Sequence, residues 1–206
     1  MSKPAPQPAS PAHYNLYLRD GRKKFFFRYH DEGIVLDDKG LACTLYGIEQ
    51  KQPYENIVSV RLQMTSIPKS DALYTCTIGF RDGRQIAIAN ASKYGSAEDQ
   101  RTVLYGQFVR DLHKRIPKPE RSRIRFYAGN TESQQRILVA ILVIAGLFFV
   151  GLPLALLLYI QKLEVLGVLL TGAAFIYPLW RSANANEPRT YHSEYPPDEL
   201  VPAVSR

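Results

Sequence analysis

Cysteine is almost missing from this sequence: Cys43 and Cys76 are the only two. Two thiols cannot staple a disulfide-rich secreted scaffold, nor fill a four-cysteine zinc site. Histidine is nearly as scarce. His13, His30, His113 and His192 are scattered, and none stands at a metal-ligand spacing from Cys, Asp or Glu. There is no G-x-S-x-G elbow, no phosphate-cradling glycine loop, no H-E-x-x-H and no C-x-x-C. The expectation is a chain without metal or cofactor, and not an enzyme. The first fifteen residues hold four prolines and no apolar run, which argues against a secretory signal peptide and for a disordered leader over residues 1–13.

Acidic residues are in deficit. Against 26 Lys and Arg stand 19 Asp and Glu, a net charge of +7. The excess is concentrated between residues 110 and 136, where eight Lys/Arg meet three Asp/Glu. A nucleic-acid surface would need basic residues laid along a groove with stacking aromatics. This block instead ends where a long apolar run begins, so nucleic acid is not expected as a partner and juxtamembrane positive charge is. Arg121, Arg123, Arg125 and Arg136 are the expected contacts to anionic lipid there.

Residues 137–160 are 24 in a row without a charge. As a helix at about 1.5 Å per residue they would span roughly 36 Å, enough for a hydrocarbon core of about 30 Å. A polar break follows, and residues 163–180 are uncharged from Val165 onward. The two stretches predict a two-helix transmembrane hairpin. The far turn holds only Lys162, whereas Arg181 and Arg189 join the near-side arginines, so both termini are expected in the cytoplasm. Pro153 removes an amide donor inside the first span and predicts a kink. Gly151 with Ala155, and Gly167 with Thr171, are small pairs at i and i+4 that favour close helix packing.

Between residues 14 and 117 the pattern changes to short alternating strands followed by one amphipathic helix. Val58, Val60, Leu62 and Met64 alternate with polar residues, as do Tyr74, Cys76, Ile78 and Phe80; Asp82-Gly83 then turns the chain into Ile86 and Ile88. Leu104, Phe108, Leu112 and Ile116 recur every fourth residue, on a helix expected to begin at Ser96 and stop at Pro117. Residues 118–136 read as a basic linker. The tail, residues 181–206, mixes prolines with Tyr191, Tyr195, Pro196, Pro197 and Leu200. That mixture suits docking in extended form, either on a partner or on the chain's own domain.

The stretch Tyr54-Glu55-Asn56-Ile57-Val58-Ser59-Val60-Arg61 and the phrase GFRDGRQIAIANAS resemble bacterial pleckstrin-homology-like domain membrane proteins. The resemblance implies an α+β fold, an antiparallel β-barrel or sandwich capped by a C-terminal helix. It also implies binding of protein or lipid, with Lys23, Lys24 and Arg28 near the first hairpin as further anionic-lipid contacts. The combined expectation is a multi-pass protein of the bacterial inner membrane, an adaptor with a protein partner or larger membrane complex. An accessory subunit of a respiratory or transport assembly is one alternative. A lipid-modifying enzyme is the other, for which His113, His192, Glu194 and Asp198 would be the candidates.

Overall fold

The computed structural model describes residues 10–22, 29, 33–65, 72–161 and 164–202. Lys23, Lys24, Arg28 and Lys162 lie outside the described residues. The fold is α+β, and the chain divides into two compact units: residues 1–128 with 190–206, and residues 129–189.

The first unit is built on two sheets. Strands β1 (Ala12–Tyr14), β3 (Ile34–Leu36), β4 (Gly40–Leu45) and β5 (Ile48–Pro53) form an antiparallel sheet in the order β1-β3-β4-β5. The second sheet has six strands. These are β2 (Tyr17–Asp20), β6 (Ile57–Thr65), β7 (Leu73–Phe80), β8 (Gln85–Ala89), β9 (Arg125–Ala128) and the short β10 (Arg189–Thr190), in the order β10-β9-β6-β7-β8-β2. Strand β9 runs parallel to β6, with Ser59 opposite Arg125 and Leu62 opposite Ala128. The expected basic linker therefore contains a structural strand, preceded by one helical turn, α2 (Lys118–Arg121).

Helix α1 (Asp99–Arg115) lays Tyr105, Phe108, Val109 and Leu112 into a core shared with Leu16, Leu36, Val60, Leu62 and Ile78. It starts three residues later than the Ser96 expectation. The Ser96 amide donates to Ser92 Oγ in a preceding turn, and Glu98 occupies the N-cap position. The β7–β8 hairpin lies where alternation put it. The Asp82 carboxylate accepts from the Arg84 amide at 2.9 Å, and Gly83 takes φ +78°, a backbone state that glycine enters without steric cost. Strand β6 departs from simple alternation at its start. A register shift between Ile57 and Ser59 turns Ile57 inward and leaves Val58 exposed, so Val58 is not on the same face as Val60 and Leu62.

The second unit is helical. Helix α3 (Glu132–Gly146) opens on a capping box, with the Gln134 amide donating to Thr131 Oγ1 and the Thr131 amide donating to Gln134 Oε1. One turn of π-helix, Leu147–Gly151, joins it to α4 (Leu152–Ile160). The helix irregularity next to Pro153, where a kink is expected from the sequence, is this π-turn. Proline leaves the Phe149 carbonyl without its usual donor, and a wider turn absorbs the disruption. Glu132–Tyr159 is the one helix among the described residues long and apolar enough to cross a membrane, its most apolar 18-residue window having a mean hydropathy of 2.9.

Helix α5 (Glu164–Ala185) carries a shorter apolar stretch, Leu166–Arg181. It runs back along its predecessors. Gln135 Nε2 donates to the Ala183 carbonyl at 3.3 Å, the Asn130 amide donates to the Asn186 carbonyl at 2.8 Å, and Gly172 lies directly against the Phe149 carbonyl. A side chain at position 172 would collide with that carbonyl, so Gly172 sets how closely the helices approach. Gly151 and Ala155 do not make this approach, and Gly167 has open space around its α-carbon.

Leu62 is fully buried whereas Val58 is 37% exposed. Leu62→Ala should therefore cost about 3 kcal/mol of stability, and Val58→Ala under about 0.5 kcal/mol. Denaturant unfolding of the two variants checks this; equal losses would contradict the register shift.

Candidate functional site

The site is assembled where the chain returns to the first unit after the helices. In β9, Phe126 and Ala128 point into the core, while Arg125 is exposed and Tyr127 faces outward with the Arg61 guanidinium 4.5 Å from its ring centre. The tail is laid beside this strand, the Tyr191 amide donating to the Phe126 carbonyl at 3.2 Å. Residues of α2, β9 and the tail together line a cleft of about 510 Å³. Its lining includes Lys118, Arg121 and Arg125, and Thr190, His192 and Glu194 from the tail; Ile124, Phe126 and Tyr127 also line it.

Arg121 does two jobs at once. Its Nε donates to the Ile116 carbonyl at 3.0 Å and a terminal nitrogen donates to the Lys114 carbonyl at 3.2 Å, satisfying acceptors at the end of α1. The other terminal nitrogen lies 3.5 Å from the Glu194 carboxylate in the tail. A smaller hollow of about 250 Å³, bordered by Arg110, Lys114 and Pro196, also has Arg121 and Glu194 in its wall.

His113 anchors the tail from beneath. Its Nδ1 is 2.7 Å from the Val109 carbonyl and its Nε2 is 3.0 Å from the Tyr191 hydroxyl. A carbonyl only accepts, so Nδ1 carries the proton and Nε2 of the neutral ring accepts from Tyr191. The ring packs 5.4 Å from Phe126 and 5.8 Å from Tyr191. Burial holds the His113 pKa below its ordinary value; the Val109 carbonyl opposes that shift and the Arg121 charge adds to it. Burial likewise pushes the Tyr191 hydroxyl up, so it stays a donor.

Further along, Leu200 and Val201 are buried in the domain core, and an Arg110 terminal nitrogen donates to the Pro202 carbonyl at 2.6 Å. Gly106 on α1 lies under that carbonyl, where a β-carbon would intrude.

The sequence-derived residues thus separate. Tyr191 and Leu200 are taken up by the chain's own domain, whereas Tyr195 is 77% exposed beside His192. Pro196 and Pro197 are half-buried. Of the arginines, Arg125 reaches the cleft and Arg121 is mostly committed to structure. Arg123 pairs with Glu120 at 3.6 Å and Arg136 with Glu132 at 3.3 Å, both on the surface. Among the enzyme candidates, His113 and Glu194 share the smaller hollow and His192 and Glu194 the larger, while Asp198 opens a 3₁₀ turn (Asp198–Leu200) and lines neither. Tyr127 and Gly106 carry no sequence signal of their role; Lys118 shows only as part of the basic block and Arg61 only as part of an alternating strand.

In the helical unit, Gly167, Thr171 and Gly172 line an open groove of about 490 Å³ with Phe149, Val168 and Phe175. Thr171 returns its hydroxyl to the Gly167 carbonyl at 2.8 Å. No protein-family model and no curated protein matches this chain.

Two outcomes follow from the tail's anchorage. Leu200→Ala should cost about 3 kcal/mol, as for any fully buried leucine, measured by denaturant unfolding of the full chain. Because the folded His113 titrates below its unfolded value, stability is level above about pH 7 and falls as the unfolded imidazole gains its proton below about 6.5. His113→Gln should flatten that part of the profile, read from unfolding midpoints at intervals between pH 7.5 and 5.5.

Proposed function

We propose that this chain is a non-enzymatic membrane adaptor. A pleckstrin-homology-like module is carried on a two-helix transmembrane hairpin, with both termini on the cytoplasmic side of a bacterial inner membrane. It rests on anionic lipid and recruits or stabilises a larger membrane complex.

One observation carries the reading. The helix Glu132–Tyr159 spans 28 residues and its most apolar 18-residue window has a mean hydropathy of 2.9, yet only 6% of that window is buried within the protein. In water so much bare apolar surface would be costly, at about 25 cal/mol per Å²; in lipid it is at home. Helix α5 carries an apolar stretch, Leu166–Arg181, of roughly 24 Å, which the return crossing would use with its ends near the headgroup layer. Connectivity supports the same topology. The residues before the helices and those after them belong to one folded unit. A chain that leaves and rejoins the same unit crosses the bilayer an even number of times.

The two sheets and the long helix α1 are in keeping with the pleckstrin-homology resemblance, whereas the parallel β9 and the inserted tail are additions to it. Membrane confinement raises effective concentration, so weak contacts suffice for recruitment. The accessory-subunit reading has its own support in the open small-residue groove on α5, which has the shape to receive another helix.

Tags at each terminus, probed from both sides with an impermeant reagent after carbonate washing, test the proposal. The expected result is a chain retained in the membrane with both tags reached from the cytoplasmic face. Tags on opposite faces, or release by carbonate, would overturn it. Mild-detergent purification should also bring down a partner in fixed proportion.

A further inference from the structure

We infer that the cleft between α2, β9 and the returning tail holds the phosphate-bearing headgroup of an anionic lipid. The inference rests on the membrane reading above and gives its lipid contact a definite place.

The charge balance of the cleft is the first ground. Three cationic side chains, Lys118, Arg121 and Arg125, face a single carboxylate, Glu194. That carboxylate is already paired with Arg121, which is in turn fixed by two backbone carbonyls. Lys118 and Arg125 are exposed. They remain for a ligand, and Arg121 adds a fixed positive field behind them. Monodentate lysine beside a forked guanidinium is a common way to hold a phosphate.

The lining is the second ground. Beside the cations lies the outward ring of Tyr127, over the edges of the otherwise buried Ile124 and Phe126. A bare inorganic anion gains nothing from such a surface, whereas the carbon skeleton that carries a headgroup phosphate packs on it. Hydroxyls of Ser122 and Thr190 at the rim are suited to polar substituents.

Chain position is the third ground. Arg125 stands seven residues before the first residue of α3, and Thr190 five residues after the last of α5. Both walls are therefore tied by short segments to helices that, on the membrane reading, end at the headgroup layer. A polybasic surface alone attracts anionic lipid without selecting a position. A walled cleft distinguishes its own cations from equally basic neighbours outside it.

That distinction sets the experiment. The full chain, in phosphatidylcholine nanodiscs, is titrated with dihexanoyl phosphatidylglycerol and, separately, with glycerol phosphate; native mass spectrometry counts the lipid retained. Lys118→Gln with Arg125→Gln should weaken phosphatidylglycerol binding about tenfold. Lys51→Gln with Arg84→Gln, an equal loss of charge at exposed positions outside the cleft, should leave it within about twofold.

Equal losses from the two variants would overturn the site in favour of diffuse attraction. So would retention of phosphatidylglycerol no greater than that of phosphatidylcholine. Glycerol phosphate binding as tightly as the short-chain lipid would overturn the lipid assignment in favour of a free phosphate ester. Thermal melts of the cleft double variant guard against misfolding, and its two single variants, each expected to show part of the loss, replace it if the melt shifts. Carbonate release of the wild-type chain would instead defeat the membrane reading itself, a result separable from every outcome above.

Discussion

The chain leaves its β-rich unit at Ala128 and comes back to complete it at Thr190, and this return constrains everything else. Leu200 and Val201 fill the core from the far side of the helical segment, and Tyr191 closes against His113 and Phe126. Each fully buried aliphatic side chain contributes about 1.5–3 kcal/mol, a sizeable share of the few kcal/mol by which a domain is stable. The tail is thus a structural element of the domain. Its path fixes the cleft, fixes Glu194 beside Arg121, and requires glycine at position 106 where the Pro202 carbonyl crosses α1.

The basic block before the helices is divided by the same event. Read as sequence, four arginines look equivalent. In the fold, Arg121 serves the carbonyls that α1 leaves open at its end, a service available because α2 turns the chain back beneath that helix. Arg125 projects from the outer face of β9, since the inner face is taken by Phe126 and Ala128. Alternation along four residues of strand turns Arg125 outward, whereas the place of Arg121 at the end of α2 makes it structural support.

What was legible in the sequence follows the strength of local signals. Strands β7 and β8 stand where alternation and the Asp82-Gly83 turn put them, because both signals act within a few residues. Helix α1 shows its apolar stripe for the same reason, and only its start, at Asp99, differs from the Ser96 expectation. Strand β5, Ile-Glu-Gln-Lys-Gln-Pro, is an edge strand exposed along most of its length and so carries no periodicity to detect. Strand β9 is four residues long and owes its existence to a partner more than sixty positions away. The Ile57–Ser59 shift breaks the alternation that reveals the rest of β6. In the helical unit, hydropathy exposed the long apolar run, whereas the importance of Gly172 depends on the carbonyl that Pro153 frees at Phe149 and on the helix that passes it.

The placement of β9 and the tail around the helical segment has a consequence for biosynthesis. The ribosome delivers the first 128 residues with the tail's contribution to their core still unmade, and 61 further residues emerge before Thr190. At about 10 residues per second that interval is roughly six seconds. Throughout it the nascent module lacks Tyr191, Leu200 and Val201, while the apolar helices pass first. The molecule's topology therefore orders its own assembly: the helical unit is made before the β-rich unit is sealed.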